Sequence, residues 1–211
     1  MIRVLFTYVD AKLPDERWQS LLSNVPDPIQ HRITRYVRWQ DRQAGLFGKL
    51  LLWQGLTDAA YPRDCLERLA YTAHGKPFLD SHIDFNISHS GKYVICAISK
   101  EGQVGIDIEQ IRKITLADFT RYMTVQEWQT NQAAPDPYEK FFDYWTKKEC
   151  VLKADGRGLS IPLPDILING ETATVSNKLW FLKAVRLDVQ YKCALATNIK
   201  DADFHVSQVH F

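Results

Sequence analysis

Hydrophobic and polar positions alternate at the start of the chain. Residues 3–9 alternate with a period of two, which predicts a β-strand. A helical pattern begins near Pro14 and reaches a proline-rich break at residues 25–28. The pattern is then helical over residues 29–56, and we expect one long helix there. The first quarter of the chain is therefore predicted to be a strand followed by helices.

Two apolar segments in the middle of the chain are predicted to be strands. Residues 93–99 form a continuous apolar run, and residues 104–109 alternate. A helix is predicted over residues 138–154, because Gly156 and Gly158 provide a stop. Beyond this helix the pattern predicts five short strands, over residues 166–168, 174–175, 179–185, 191–197 and 205–209.

The two halves of the chain resemble each other in pattern. Each contains a long helix followed by strands, and residues 93–99 match residues 191–197 in character. This repetition predicts an α+β fold made of two similar α/β halves, residues 1–103 and residues 104–211.

The composition excludes several classes of protein. The 211 residues suffice for a sizeable core, and a formal net charge of +1 argues against a broadly basic surface for nucleic acid. No apolar run approaches the roughly 20 residues of a membrane span, and the N-terminal segment is too soon charged for a secretory signal. The four cysteines are widely spaced, and we expect them to be reduced. These features predict a cytoplasmic protein that binds neither nucleic acid nor a membrane.

Residues 145–153, Trp-Thr-Lys-Lys-Glu-Cys-Val-Leu-Lys, carry the most informative pattern. In a helix, Glu149 and Lys153 are four residues apart and share one face, and Lys148 precedes the carboxylate. This arrangement places a carboxylate between two ammonium groups. An amphipathic helix with a surface ion pair has the same spacing, so the segment alone does not decide between a functional and a structural role.

Two acidic residues alternate with isoleucines in residues 104–109. In a strand, Asp107 and Glu109 point to one face, with their backbones about 6 to 7 Å apart, so both carboxylates reach one ion. Magnesium prefers such oxygen ligands and completes its shell with water and substrate phosphates. An edge strand with its polar face in water fits the alternation equally well.

Two further groups of residues are candidates for anion binding. Ser88, His89, Ser90 and Gly91 form a polar corner that offers hydroxyls, an imidazole and backbone N–H groups, although a plain β-turn is the alternative. A row of arginines lies within the predicted long helix, at positions 32, 35, 38 and 42. It forms either a solvated helix face or an anion site.

Three stretches taken together carry a family resemblance: residues 85–90 (Phe-Asn-Ile-Ser-His-Ser), residues 105–109 (Gly-Ile-Asp-Ile-Glu) and residues 145–153. In this order and spacing they resemble the 4′-phosphopantetheinyl transferases of the larger, pseudo-dimeric Sfp-like class. The turn Gly-Lys-Pro at residues 75–77 and the segment 156–160 extend the resemblance, which covers most of residues 28–164.

The resemblance implies an activity, partners and an arrangement of the halves. The two halves would pack about a pseudo-two-fold axis, and the protein would be a monomer because each half supplies an interface for the other. The co-substrate would be coenzyme A, with Mg²⁺ as cofactor. The reaction would transfer the phosphopantetheine arm to a serine of an apo acyl or peptidyl carrier protein and release 3′,5′-ADP.

The resemblance also implies roles for individual residues of the metal and catalytic site. Asp107, Glu109 and Glu149 match the family's magnesium carboxylates, and Lys153 matches the lysine near the pyrophosphate. Glu149 is the candidate to accept the serine proton, and Lys153 the candidate to meet charge on the leaving group. Lys148 is expected to be a further phosphate contact.

Coenzyme A contacts and a carrier surface follow in the same way. The expected coenzyme A contacts are Arg32, Arg35, Lys76, Pro77, Ser88 and His89. Ala44 stands where the family usually carries an arginine for the 3′-phosphate, and Arg42 or Lys49 is the possible replacement. A carrier is expected to dock on an apolar patch, for which core packing is the alternative, formed by Phe119, Tyr122 and Met123.

Two other functions are compatible with part of this pattern. One is a non-catalytic module that binds coenzyme A or a carrier protein, and the other is a magnesium-dependent nucleotide hydrolase. The three acids together with Lys153 favour an enzyme, because a binding module needs no general base.

Overall fold

Helices and strands occur in both halves of the computed structural model, which describes residues 1–80 and 82–211. The α-helices in these residues are α1 (Asp15–Leu22), α2 (Asp27–Thr34), α3 (Trp39–Asp58), α4 (Val125–Gln132) and α5 (Pro137–Asp155). The strands are β1 (Ile2–Tyr8), β2 (Ala70–Tyr71), β3 (Pro77–Phe78), β4 (Asp84–Ser90), β5 (Tyr93–Ser99), β6 (Val104–Gln110), β7 (Leu167–Asn169), β8 (Thr172–Val175), β9 (Lys178–Ala184), β10 (Tyr191–Thr197) and β11 (Phe204–Gln208).

Two large sheets divide the described residues, and β2 and β3 form a third, two-stranded sheet. The first has the order β11-β1-β5-β4 and is covered on one face by α3, while the second has the order β6-β10-β9-β8-β7 and is covered by α5. Neighbouring strands are antiparallel except for β1 and β11, which are parallel. The α+β class with two sheet-containing halves is confirmed.

The last strand does not lie with the half that precedes it. Residue Ile2 of β1 pairs with Phe204 of β11, so β11 extends the first sheet. The Phe211 ring also lies 5.3 Å from the ring of Phe47 on α3. The division into residues 1–103 and 104–211 stays a prediction. Strand β11 belongs to the second range by sequence but to the first sheet by pairing.

The predicted long helix over residues 29–56 was wrong. Two helices, α2 and α3, cover this segment, and the chain turns between them at residues 35–38, where Val37 is 92% exposed. Both helices contribute to the core beneath the first sheet, with Ile33 from α2 and Leu50 from α3.

Residues 88–91, predicted to form a polar corner, lie mostly within a strand. Ser88, His89 and Ser90 belong to β4, and only Gly91 and Lys92 form the turn to β5. Gly91 has φ +54°, a backbone conformation that favours glycine. Ser88 and Ser90 therefore follow the alternation of a strand, and their side chains point to the same side.

The four cysteines agree with the expectation that they are reduced. Cys65, Cys96, Cys150 and Cys193 are all buried free thiols. Among the helices of residues 1–80 and 82–211, none combines the length and the hydrophobicity needed to cross a lipid bilayer.

Candidate active site

The two sheets meet along their edge strands β4 and β6, and side chains join these strands. Alternate residues of β4 accept hydrogen bonds from backbone N–H groups of β6, and we name this set the side-chain ladder. Its rungs are Asp84 Oδ2 with Val104 (2.8 Å), Asn86 Oδ1 with Ile106 (3.0 Å), Ser88 Oγ with Ile108 (3.4 Å) and Ser90 Oγ with Gln110 (3.1 Å). The ladder fixes the register of the two sheets and satisfies N–H groups that would otherwise be orphaned at the seam.

Helix α5 packs across β6, and the closest approach is at Gly105. A Cβ atom at this position would overlap the carbonyl oxygen of Cys150 and the backbone nitrogen of Ala154. Only glycine therefore allows the two backbones to come so close. The contact carries Glu149 and Lys153 of α5 over the carboxylates of β6.

The three predicted metal carboxylates line one cavity. Asp107, Glu109 and Glu149 share this cavity of about 360 Å³ with Lys153 and His89. Its remaining lining residues are Ile87, Ser88 and Trp145. We name it the acid cavity. The sequence alone did not decide whether the acids of β6 face water, and the structure places Asp107 4% exposed at the seam.

Hydrogen bonds connect the acid cavity to the side-chain ladder. Asp107 Oδ1 accepts from Ser88 Oγ at 2.8 Å and from Lys153 Nζ at 2.6 Å, and Lys153 also donates to Ser88 Oγ at 3.0 Å. Ser90 Oγ donates to Glu109 Oε2 at 2.8 Å. Each serine thus accepts from the backbone of β6 and donates to one carboxylate, which holds both carboxylates in place.

Crowded negative charge dominates the electrostatics of the cavity. Burial, and then the charge of Asp107, raise the pKa of both Glu109 and Glu149. Burial opposes the charged form of Lys153, but its attraction to Asp107 outweighs this effect, and its pKa is raised. Burial and the neighbouring Lys153 lower the pKa of His89. A bound cation would relieve the repulsion among the acids.

The residues of the acid cavity fit a divalent cation. Across the described ranges 1–80 and 82–211, no three His, Cys, Asp or Glu side chains stand at the mutual distances of a preformed metal site. However, the buried Oδ2 atom of Asp107 makes no hydrogen bond within these residues, and an orphaned carboxylate oxygen is a ready ligand. All three side chains offer oxygen, the donor that Mg²⁺ prefers.

Lys148 lies on the opposite side of α5, away from the acid cavity. Its side chain is 1% exposed and its ammonium forms an ion pair of 2.9 Å with Glu127. The same nitrogen donates to the carbonyl oxygens of Leu163 (2.9 Å) and Ile166 (3.0 Å). The expectation that Lys148 contacts a phosphate does not match this position, because all three donors of the ammonium are engaged in the core.

A larger cavity of about 460 Å³ adjoins the acid cavity, and Ile87 and His89 line both. We name it the nucleotide cavity, since the expected coenzyme A contacts Arg32, Pro77 and His89 lie on its wall. Lys76, beside it, lines another cavity and bonds Asp84 and the carbonyl oxygen of Ala154. Lys76 therefore ties the Gly-Lys-Pro turn to the end of α5.

Arg35 is exposed just beyond the end of α2 and does not line the nucleotide cavity. Its expected contact with coenzyme A stays a prediction.

The expected carrier patch is only partly exposed. Phe119 and Tyr122 are half-buried, and both rings contact Trp145, with centroids 5.5 and 5.8 Å away. Met123 is 7% exposed and belongs to a core with Phe141. The structure thus removes Met123 from the expected surface, because its side chain fills the space beneath the aromatic rings.

Sequence reasoning missed two residues of this region. Ser90 was quoted as part of a corner, but its hydrogen bond to Glu109 was not foreseen. Glu127, the partner of Lys148, lies 21 residues earlier in the chain and was not singled out. The period-two polar pattern of residues 84–90 was a signal for the first, whereas no local pattern points to the second.

Comparisons with known proteins agree with this geometry. A family model described as 4′-phosphopantetheinyl transferase superfamily matches residues 103–207, and one described as 4′-phosphopantetheinyl transferase, N-terminal, matches residues 13–101. The two models meet near the loop between β5 and β6. Together they cover the three elements that line the acid cavity, β4, β6 and α5.

Named relatives match the chain along most of its length. It is 35% identical over 181 residues to 4′-phosphopantetheinyl transferase gsp of Aneurinibacillus migulanus, which covers 84% of this chain and 76% of the relative. It is 27% identical over 225 residues to 4′-phosphopantetheinyl transferase Sfp of Bacillus subtilis (strain 168), covering 100% and 98%. A mouse protein, L-aminoadipate-semialdehyde dehydrogenase-phosphopantetheinyl transferase, is 27% identical over 222 residues, covering 89% and 72%. The chain therefore belongs to the 4′-phosphopantetheinyl transferase family, in its Sfp-like class.

Proposed function

We propose that the protein transfers the 4′-phosphopantetheine arm of coenzyme A to a serine of an apo acyl or peptidyl carrier protein, with Mg²⁺ as cofactor and 3′,5′-ADP as the leaving product. The observation that carries this proposal is the convergence of Asp107, Glu109, Glu149 and Lys153 on one cavity that adjoins the nucleotide cavity. An elongated substrate with a nucleotide at one end and a pyrophosphate near its middle matches two such adjoining spaces.

The acid cavity is proposed to hold the pyrophosphate. Lys153 retains one donor beyond its bonds to Asp107 and Ser88 in the described residues, and its raised pKa keeps it charged. Ser88 and Asp107 hold the ammonium at this position. Asp107, Glu109 and Glu149 would hold Mg²⁺, which when bound supplies neutralisation of the phosphate charge.

Proton transfer is assigned to Glu149. The serine hydroxyl oxygen forms a bond to the β-phosphorus, and the bond from that phosphorus to the bridging oxygen breaks, so that 3′,5′-ADP leaves. Glu149 accepts the hydroxyl proton, directly or through a water, because its carboxylate lines the acid cavity in which the serine reacts. Lys153, one turn along α5, stabilises the charge that develops on the leaving oxygen.

The carrier is proposed to dock beside the acid cavity. Phe119 and Tyr122 lie next to Trp145, which itself lines the cavity. A carrier helix on these rings would bring its serine to the mouth of the cavity. We also propose that the protein acts as a monomer in the cytoplasm, since the side-chain ladder already joins its halves and its four cysteines are free thiols.

Mass spectrometry of a carrier protein tests the proposal. A purified apo carrier is incubated with the protein, coenzyme A and Mg²⁺, and a gain of about 340 Da, the mass of the transferred arm, is expected. A chelator should prevent the gain, and Asp107→Ala should abolish it, whereas the exposed Glu171→Ala control should not. No gain on several unrelated carriers, or full transfer by a folded Asp107→Ala variant, would reject the proposed chemistry.

A further inference from the structure

The turn between β4 and β5 lies against the second half of the chain. It consists of Gly91 and Lys92, because Ser90 and Tyr93 pair across the hairpin. A Cβ atom on Gly91 would overlap the hydroxyl oxygen of Tyr191 on β10. That oxygen accepts a hydrogen bond of 3.2 Å from the backbone N–H of Lys92. Tyr191 therefore contacts both residues of the turn, across the boundary between the two sheets.

Asp188, in the loop before β10, holds the same turn by a second contact. Its Oδ2 atom lies 3.3 Å from the ammonium of Lys92 and accepts from the hydroxyl of Tyr93 at 3.3 Å. Its other carboxylate oxygen accepts from the backbone N–H of Gln190 at 3.0 Å, which fixes the carboxylate within its own loop. Lys92 is thus held both at its backbone N–H and at its ammonium.

Packing and strand pairing fix the position of Tyr191 itself. The residue is 8% exposed and belongs to the core between the sheets, where its ring centroid lies 4.7 Å from that of Tyr93. Its backbone pairs with Gln110, so it is part of the ladder between β10 and β6. A buried tyrosine hydroxyl usually finds a polar partner, and here the partner is the β4–β5 turn. The second half of the chain therefore offers the turn a rigid contact.

The β4–β5 turn lies next to the last rung of the side-chain ladder. Ser90, which ends β4, accepts from the backbone N–H of Gln110 at 3.1 Å and donates to Glu109 Oε2 at 2.8 Å. The end of a strand opens more readily than its middle. A turn held by Tyr191 prevents such opening at Ser90. The position of the turn therefore decides the position of the hydroxyl that orients Glu109.

We propose that Tyr191 is a positioning residue for the binding of a divalent cation. Its hydroxyl holds the β4–β5 turn, the turn fixes Ser90, and Ser90 holds the carboxylate of Glu109. The inference rests on the proposed function, in which Glu109 is a ligand of Mg²⁺. Tyr191 lies in the core between the sheets, whereas Glu109 lines the acid cavity. Tyr191 thus acts through Ser90 and not by contact with the ion.

Binding of Mn²⁺ tests this inference without coenzyme A or a carrier. Mn²⁺ takes the same oxygen ligands as Mg²⁺, and electron paramagnetic resonance measures its free concentration. We expect Ser90→Ala to weaken Mn²⁺ binding by about tenfold and Tyr191→Phe, which keeps the ring and loses the hydroxyl, by about threefold. The matched control is Tyr61→Phe, which loses a hydroxyl bonded to Asp80 and should bind Mn²⁺ like the wild type.

A double variant distinguishes positioning from packing. If Tyr191 acts through Ser90, Tyr191→Phe causes no further loss of Mn²⁺ affinity in a protein that already carries Ser90→Ala. A tyrosine that only packs the core would instead give losses that multiply. Thermal unfolding of each variant verifies that the protein measured is folded, and the removal of one oxygen atom from Tyr191 should preserve the fold.

Four results would overturn the inference. They are a wild-type protein that binds no Mn²⁺, a Tyr191→Phe variant with wild-type affinity, a Tyr61→Phe variant with an equal loss, and losses that multiply in the double variant. A protein that shows the expected pattern of Mn²⁺ binding but transfers nothing to a carrier would reject the proposed function and leave the role of Tyr191 standing.

Discussion

Helix α5 carries two lysines, Lys148 and Lys153, that have opposite surroundings. Both ammonium groups lie close to a carboxylate, Glu127 at 2.9 Å for the first and Asp107 at 2.6 Å for the second. Lys148 is 1% exposed and its three donors are all engaged, two of them by backbone carbonyls. Lys153 is 26% exposed and keeps one donor for a ligand. The same pair of charges is thus structural on one face of the helix and available for chemistry on the other.

The difference lies in what surrounds each carboxylate. Glu127 also caps α4, where its side chain accepts from the backbone N–H of Thr124 at 2.8 Å. Asp107 instead leaves one buried oxygen without a partner in the described residues. A pair whose polar atoms are all bonded stabilises the fold, whereas a carboxylate with an unbonded oxygen keeps an acceptor for a ligand.

The largest expected effect is on stability, through Lys148. Replacing Lys148 with Met leaves Glu127 buried without its counter-charge, and the free energy of unfolding should fall by about 3 to 5 kcal/mol. The matched control is the neighbouring Lys147→Met, whose partly exposed pair with Asp143 contributes at most about 1 kcal/mol. Urea unfolding measures both changes.

A double variant sharpens this prediction. Lys148→Met combined with Glu127→Gln should be more stable than Lys148→Met alone, because the uncharged amide still caps α4. Equal losses in Lys148→Met and Lys147→Met would show that the buried pair does not tie α4 to α5.

The next effect is on catalysis, through Lys153. Lys153→Met should lower the rate of carrier modification by about 10² to 10³-fold, since the leaving oxygen loses its positive neighbour. Lys147→Met should keep wild-type activity. Initial rates from carrier mass measure both variants, and a loss below tenfold for Lys153→Met would remove Lys153 from the transfer step.

A smaller effect is expected at the side-chain ladder. Ser90→Ala removes the donor that orients Glu109, and the Mg²⁺ concentration for half-maximal transfer should rise by about tenfold. Ser160→Ala, on an exposed hydroxyl that bonds only a local carbonyl, is the control. A lowered maximal rate with an unchanged Mg²⁺ requirement would contradict an orienting role for Ser90.

The smallest effect concerns the pH dependence of stability in chelator. Burial and the charge of Asp107 raise the pKa of Glu109 and Glu149, so the folded protein binds their protons more tightly than the unfolded chain does. Stability should therefore fall as the pH rises from about 4.3, the ordinary glutamate value, through the raised values of the folded state. Urea unfolding of wild type and Glu149→Gln across this range measures the effect, and the variant should lose less stability. A parallel pH dependence in both proteins would contradict it.

Much of the acid cavity could be predicted from sequence because its residues lie in regular elements. The alternation of β6 gives the common face of Asp107 and Glu109, and the helical spacing gives that of Glu149 and Lys153. The fold class followed from the same local patterns. That β6 and α5 lie against each other depends on the close packing at Gly105, which no local pattern predicts. The family resemblance, and not the pattern, predicted that these two elements share one site.

The remaining features depend on contacts that no local pattern records. Lys148 and Glu149 are neighbours in sequence, yet about 100° of helical rotation separates their side chains, and only the packing of residues 163–166 decides which faces the core. Met123 was expected on the same exposed patch as Phe119, but it is buried. Hydrophobicity alone does not distinguish a residue of a surface patch from a residue of a core. The break between α2 and α3 and the pairing of β11 with β1 likewise arise from tertiary packing.

The side-chain ladder has a consequence for how this joint between sheets changes by mutation. Ordinary strand pairing uses backbone groups that every residue except proline possesses, so few substitutions remove a bond. Each rung of this seam is instead encoded by one codon, at Asp84, Asn86, Ser88 or Ser90. Single substitutions can therefore loosen the joint one bond at a time, and two of these four codons also set the positions of Asp107 and Glu109. Mutations in residues 84–90 can therefore change both the strength of the joint between the halves and the positions of the two carboxylates.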